Sequence, residues 1–294
     1  MDDRDRIGAA YLAHLTEADL RELVHAEEVS PAQAAARTQA LQRAPGLVVD
    51  VLDRPAVSAR LLNLVGPDVG TSFALISPFL VFAAAVHRIA ADLRVSGYAP
   101  ERTAARLRVP VFDGPQLSEY LNEPVRRLYL AELLASYARS SSGVIVTRTS
   151  AGPRRRRWND LDLGRLAMLL GALPEPDRAP VWRRLGDLAL FLTGVFPAAI
   201  ERALAGRLDP AWLARTTGLP AQPSPDLGPA ELFEWFGASW YRLAARHAAT
   251  PAAQADVPAL RDNAEHFHQA RRVLNATADR YLFPIGLDWL APRR

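Results

Sequence analysis

Apolar residues recur along most of this chain at spacings of three and four, the repeat of an amphipathic helix. Thr16-Glu-Ala-Asp19 reads as a capping box, and Leu20, Leu23 and Val24 follow on one face. Ser30, Pro31 and Gln33 read as a cleaner start: a cap serine, a proline at the first helical position and a glutamine at the third. That helix runs to Arg43 and stops at Ala44-Pro45-Gly46, with short helices over 47–53 and 55–65 and a loop from Gly66 to Gly70. Ser77-Pro78 opens a strongly apolar helix through Val95. The arginine-rich, proline-punctuated stretch from Tyr98 to Pro115 reads as mostly loop. Pro124 starts a further helix to about Arg139, apolar at Leu128, Leu130, Leu133, Leu134 and Tyr137.

The pattern then changes. Gly143 to Thr149 holds a β-branched run, Ser150-Ala-Gly-Pro153 reads as a turn, and Arg154 to Trp158 returns, which predicts a single β-hairpin. Helices resume from Asn159 to about Leu173, over 177–195, and in shorter pieces over 197–206 and 209–216. Residues 218–229 read as a linker or crossing loop. Two long helices, 229–249 and 257–282, precede Pro284 and Gly286, which end the regular structure. The expectation is all-α: a multi-helix, bundle-like single domain over residues 1–294, with one β-hairpin insertion at about 143–158 that marks a possible internal boundary.

Composition narrows the chemistry. The 294 residues contain no lysine and no cysteine, so all 35 basic residues are arginine. Schiff-base chemistry on lysine, a P-loop lysine, a cysteine nucleophile, disulfides and thiolate metal sites are therefore excluded. At 49% hydrophobic and 23% charged, the chain has the composition of a globular protein. The N-terminus, MDDRDRIGAAYLAHL, lacks the apolar segment of a signal peptide, and the longest uncharged stretches, Phe73–Val86 and Leu188–Ile200, are too short to span a bilayer. A cytoplasmic protein without a membrane span is expected.

Four constellations carry candidate chemistry. Arg148 and Arg154, Arg155, Arg156 and Arg157, with Trp158 beside them, lie between Arg139 and Asp160 without an acidic residue. Alternate arginines of a ribbon share a face, which suits phosphates and an aromatic stack. His87, Glu132 and Asp187 stand alone in apolar helices and read as buried polar groups in need of partners, with Arg126, Arg127, Arg183 and Arg184 the sequence-local candidates for the carboxylates. Glu22-x-x-His25 and Glu265-x-x-His268 repeat the spacing used by di-iron bundles, with Asp262 and His266 as a further pair and Glu132 or Asp187 as extra ligands. The aromatic run from Phe233 to Tyr241 reads as core or subunit interface. No nucleotide fingerprint, nucleophile elbow or metalloprotease motif is present.

The stretch Arg183–Pro197, RRLGDLALFLTGVFP, resembles a motif of uncharacterised, largely helical bacterial proteins, especially from actinobacteria. Leu133-Leu-Ala-Ser-Tyr137 and the Arg148-to-Trp158 hairpin resemble the same family. The resemblance covers about the middle third of the chain, implies a helical fold and brings no activity with it.

The leading expectation is a non-catalytic binding or regulatory protein that presents the arginine hairpin to an anionic partner, whether protein, nucleotide or nucleic acid, and that needs no cofactor. The alternative is a metal-dependent bundle enzyme holding iron or manganese on the Glu-x-x-His pairs. A structural homodimer built on the Trp235–Tyr241 helix is a third reading, and whether the chain is an enzyme stays open at this point.

Overall fold

The computed structural model describes residues 2–65, 75–103, 107–138, 142–149, 152–159, 161–206, 208–220 and 223–285, with the backbone alone described for 142–149, 152–159 and 205–206. The expected Gly66–Gly70 loop, Ser150 and Ala151 of the expected turn, and Gly286 lie outside these residues. The fold is all-α with a β-hairpin insertion, in two compact units. The first unit holds Met1–Arg102, Arg108–Ala138 and Ala276–Ala291; the second holds Thr103–Leu107, Arg139–Asn275 and Pro292–Arg294. The main division, after Ala138, falls just ahead of the hairpin.

In the first unit the helices are α1 (Asp3–His14), α2 (Glu17–Ala26), α3 (Pro31–Arg43), α4 (Gly46–Leu52), α5 (Pro55–Asn63), α6 (Pro78–Leu93), α7 (Gly114–Asn122) and α8 (Pro124–Tyr137). The apolar helix α6 is its core. It is buried from Phe79 to His87 without interruption, and α5, α8, α7 and α4 pack around it. A helix apolar on every side has no surface to give to water, so it takes the centre. Its start is pinned by Asp19. One oxygen of that fully buried carboxylate accepts from the Thr16 amide at 2.8 Å and the other accepts from the Ser77 amide at 2.7 Å. The Thr16 hydroxyl accepts from the Asp19 amide in return, so the expected capping box forms. At the other expected start, Ser30 makes no cap bond to the backbone, and its hydroxyl donates to the Gln33 side chain instead.

Glu27 ties α2, α3 and α5 together. Arg37 grips it with two bonds of 2.8 Å, and Arg54 adds a third at 2.9 Å. Helix α1 crosses α4 where Gly8 meets the turn at Pro45. A Cβ on Gly8 would stand 2.1 Å from the Pro45 carbonyl oxygen, so only glycine permits this approach.

The stretch read as a loop between Tyr98 and Pro115 contains a second small antiparallel pair, β1 (Ala99–Arg102) with β2 (Arg108–Val111), followed by α7. Pro100 stands opposite Pro110. Neither residue has an N–H to donate, which a two-stranded ribbon with open edges tolerates. The C-terminal segment Ala278–Leu282 clasps this unit. Asp279 accepts two bonds from Arg108, at 2.6 and 2.7 Å, and the Tyr281 hydroxyl donates to Asp92.

The second unit holds β3 (Ser142–Thr149), β4 (Gly152–Asn159) and helices α9 (Leu163–Leu170), α10 (Ala179–Val195), α11 (Pro197–Gly206), α12 (Pro210–Thr216), α13 (Pro229–Arg246), α14 (Pro251–Ala255), α15 (Val257–Glu265) and α16 (Phe267–Thr277), the last two residues of α16 belonging to the first unit. Its core is α10 against α13, buried from Leu185 to Val195 on one side and at Phe233, Phe236, Trp240 and Tyr241 on the other. The aromatic run is thus spent inside its own chain, with Trp235 half-buried. A Cβ on Gly237 would meet the Phe267 ring at 2.2 Å, so the glycine is the seat of that ring.

Two expected boundaries move. Asn159 closes β4, and α9 is capped instead by Asp162, whose side chain accepts from the Arg165 amide at 3.0 Å. The long helix expected over 257–282 breaks at His266. The His266 ring Nδ1 lies 3.0 Å from the Asp262 carbonyl oxygen, and beyond Thr277 the chain winds into a π-helical turn, Ala278–Leu282. Among the described residues no helix is long and apolar enough to cross a membrane.

Candidate functional site

The β-branched run Val144–Val146 favours an extended backbone, and β3 and β4 pair antiparallel over their whole length, with Gly152 and Pro153 of the expected turn already inside β4. The register sets Arg154 opposite Thr147, Arg155 opposite Val146, Arg156 opposite Ile145, Arg157 opposite Val144 and Trp158 opposite Gly143. Directly opposed residues share a face, and successive residues alternate. Arg154, Arg156 and Trp158 therefore belong to one face of the ribbon. Arg155 and Arg157 belong to the other, together with Arg148, which stands opposite Pro153.

The charge balance is uneven. Residues 139–159 carry six of the 35 basic side chains and none of the 32 acidic ones, so a chain of net charge +3 would be net −3 without them. Five of the six, Arg148 and Arg154–Arg157, belong to β3 and β4, a local excess that a whole-chain average conceals.

A buried polar chain lies in the first unit. The His87 ring, 1% exposed, has Nε2 at 2.9 Å from the Tyr11 hydroxyl and Nδ1 at 2.7 Å from Asp53 Oδ1. Arg127, equally buried, donates to Asp53 Oδ2 at 3.2 Å and to the Leu121 carbonyl. A carboxylate only accepts, so Nδ1 carries the proton, and Nε2 of the neutral ring accepts from the tyrosine. Burial lowers the His87 pKa, more than the bond to Asp53 raises it. Burial pushes the Asp53 carboxyl up, but the His87 hydrogen bond and the charges of Arg127 and Arg94 outweigh it and hold the pKa low. Tyr11 is pushed far above the usual phenol range by its complete burial.

Four elements meet in this chain: α1, the α4–α5 corner, α6 and α8. Asp53, with 26% of its side chain exposed, is the member nearest to water. The imidazole that would have to act as a base is sealed behind it. The arrangement therefore joins helices and does not present a base to a substrate.

The other lone polar residues find non-local partners. Glu132 keeps a third of its side chain exposed and meets His14 at 2.8 Å, with the His14 ring stacked on Phe79 at 4.6 Å. Of the arginines near it in sequence, Arg127 serves Asp53 instead. Asp187 is buried and accepts from the Tyr241 hydroxyl at 2.9 Å. Arg183 pairs with Asp256. His14, Asp53 and Tyr11 carry no local sequence signal, because each gains its role from a residue many positions away.

The Glu-x-x-His residues are distributed as follows. Glu22, half-buried, and His25, exposed, lie on α2 in the first unit. Glu265 and His268 lie in the second unit, both exposed, on either side of the His266 break. They belong to two helices, one ending at Glu265 and the next starting at Phe267. His268 pairs with Glu234 at 3.2 Å, and His266 with Asp262 at 3.0 Å. Burial raises the Glu234 pKa, but His268 and Arg271 outweigh it and keep the carboxyl below its usual range. Among the described residues no group of three or more His, Asp or Glu side chains is gathered to hold a metal ion.

Compared with known protein families, with curated proteins and with solved structures, the chain matches none.

Proposed function

We propose that this chain is a non-catalytic binding protein whose arginine ribbon grips a polyanionic partner. The observation that carries the reading is the β3–β4 register, which spreads Arg148 and Arg154–Arg157 over one two-stranded ribbon in a segment free of carboxylates. Arginine suits this role. Its planar fork donates to two oxygens of a phosphate at once, and it stays charged at any working pH. On a strand alternate residues share a face, so such forks follow one another at about 7 Å along each side of the ribbon.

The test is binding of the purified chain to heparin and to inorganic polyphosphate across a salt series. With up to five phosphate-type contacts on a flexible strand, log K against log salt should fall with a slope of about −3. Replacing Arg154–Arg157 with glutamine should remove most of that slope and most of the affinity. Binding that ignores salt, or that survives the replacement, would overturn the reading.

A further inference from the structure

The two faces of the ribbon are not equivalent, and their difference points to a ligand class. Along a strand, residues two apart on one face are about 7 Å apart. Arg154, Arg156 and Trp158 form such a row: two guanidinium positions followed by one indole position. The residues opposite them on β3 are Thr147, Ile145 and Gly143. Gly143 is the register partner of Trp158, so the aromatic position ends the row of this face. The opposite face carries Arg148, Arg155 and Arg157 among Val144, Val146 and Pro153, with cations and no aromatic residue.

Resting on the polyanion reading above, we propose that the Arg154–Arg156–Trp158 face binds single-stranded nucleic acid, with the arginines on consecutive phosphates and Trp158 stacked on a base. A duplex offers the same phosphates, but its bases are already stacked on one another. A row of cations that ends in an aromatic ring therefore favours the strand whose bases are free. Inorganic polyphosphate supplies the charge without the base, so it separates the two halves of the proposal.

The experiment is fluorescence anisotropy of the full chain with a labelled oligothymidylate, the same sequence as a duplex, and labelled polyphosphate, at one fixed salt concentration. The single strand is expected to bind roughly tenfold more tightly than the duplex. Trp158→Ala should weaken the single strand by roughly tenfold and leave polyphosphate unchanged, and Trp158→Phe should keep most of the affinity because any aromatic face can stack. The double variant Arg154→Gln/Arg156→Gln should weaken the single strand more than Arg155→Gln/Arg157→Gln does. Melting curves establish that each variant is folded. If Trp158→Ala perturbs the fold, the Trp158→Phe variant and the two arginine pairs still decide the matter. Equal loss from both arginine pairs, or no preference for the single strand over the duplex, would overturn the stacking proposal while leaving polyanion binding in place. No binding to any of the three probes would overturn both.

Discussion

Replacing His87 with leucine should destabilise the first unit by about 3 kcal/mol, because it leaves a buried donor without an acceptor and removes a bond to a charged group. The donor is the Tyr11 hydroxyl, fully buried and 2.9 Å from His87 Nε2. The charged group is Asp53, 2.7 Å from Nδ1, which would keep only Arg127 at 3.2 Å. A sharper form of the prediction uses pH. The His87 pKa in the folded chain lies below its ordinary value because the ring is buried. The unfolded chain takes up a proton near pH ~6.5, whereas the folded chain resists until lower pH. Between those two values the unfolded state binds more protons, so the wild-type chain loses stability as pH falls, at up to about 1.4 kcal/mol per pH unit. A His87→Gln chain has no such group. The stability difference between wild type and His87→Gln should therefore shrink from about pH 7 to about pH 5 and be flat above the unfolded pKa. Asp53 does not confuse this range, because its depressed pKa costs stability only as pH falls below the ordinary carboxylate range. The assay is urea unfolding followed by circular dichroism at several pH values. A difference that stays constant, or that grows as pH falls, would refute a neutral, buried His87.

Other perturbations follow from the packing. Gly8→Ala places a Cβ 2.1 Å from the Pro45 carbonyl oxygen, an obstacle made of backbone. Thermal unfolding should show a loss of about 3 kcal/mol, and a neutral result would mean that α1 does not cross α4 there. Asp19→Ala removes the capping box of α2 and the acceptor for the Ser77 amide, and should cost about 2–3 kcal/mol, read by urea titration. Tyr241→Phe removes the bond to Asp187 while keeping the ring against Phe267. It should cost about 1–2 kcal/mol, checked in the same titration.

Legibility in the sequence follows how local each cause is. The Thr16 capping box and the apolar α6 were readable because their residues lie within one or two turns of each other. The β3–β4 hairpin was readable because the β-branched run Val144–Val146 is followed by the Gly and Pro of an expected turn, although Gly152 and Pro153 themselves pair within β4. The β1–β2 pair was hidden by Pro100 and Pro110, which resemble loop punctuation until they are seen opposite each other on a two-stranded ribbon. The break at His266 was hidden because the apolar repeat continues through it, and the residue leaves the helical backbone conformation while its amide still bonds the Asp262 carbonyl. His87 was conspicuous as one polar residue in an apolar run. Its partners were not, because Tyr11 and Asp53 lie 76 and 34 residues away. The arginine cluster was visible as composition, whereas its division into an aromatic and a non-aromatic face required the register.

The most direct test of the central claim is the salt dependence of polyphosphate binding by the wild-type chain beside the Arg154–Arg157→Gln chain. Tight binding at low salt with a log–log slope of about −3 is expected for the wild type, and much weaker binding with a slope of about −1 or shallower for the variant, which keeps Arg148. Absence of binding at low salt, or equal slopes for the two chains, would contradict it.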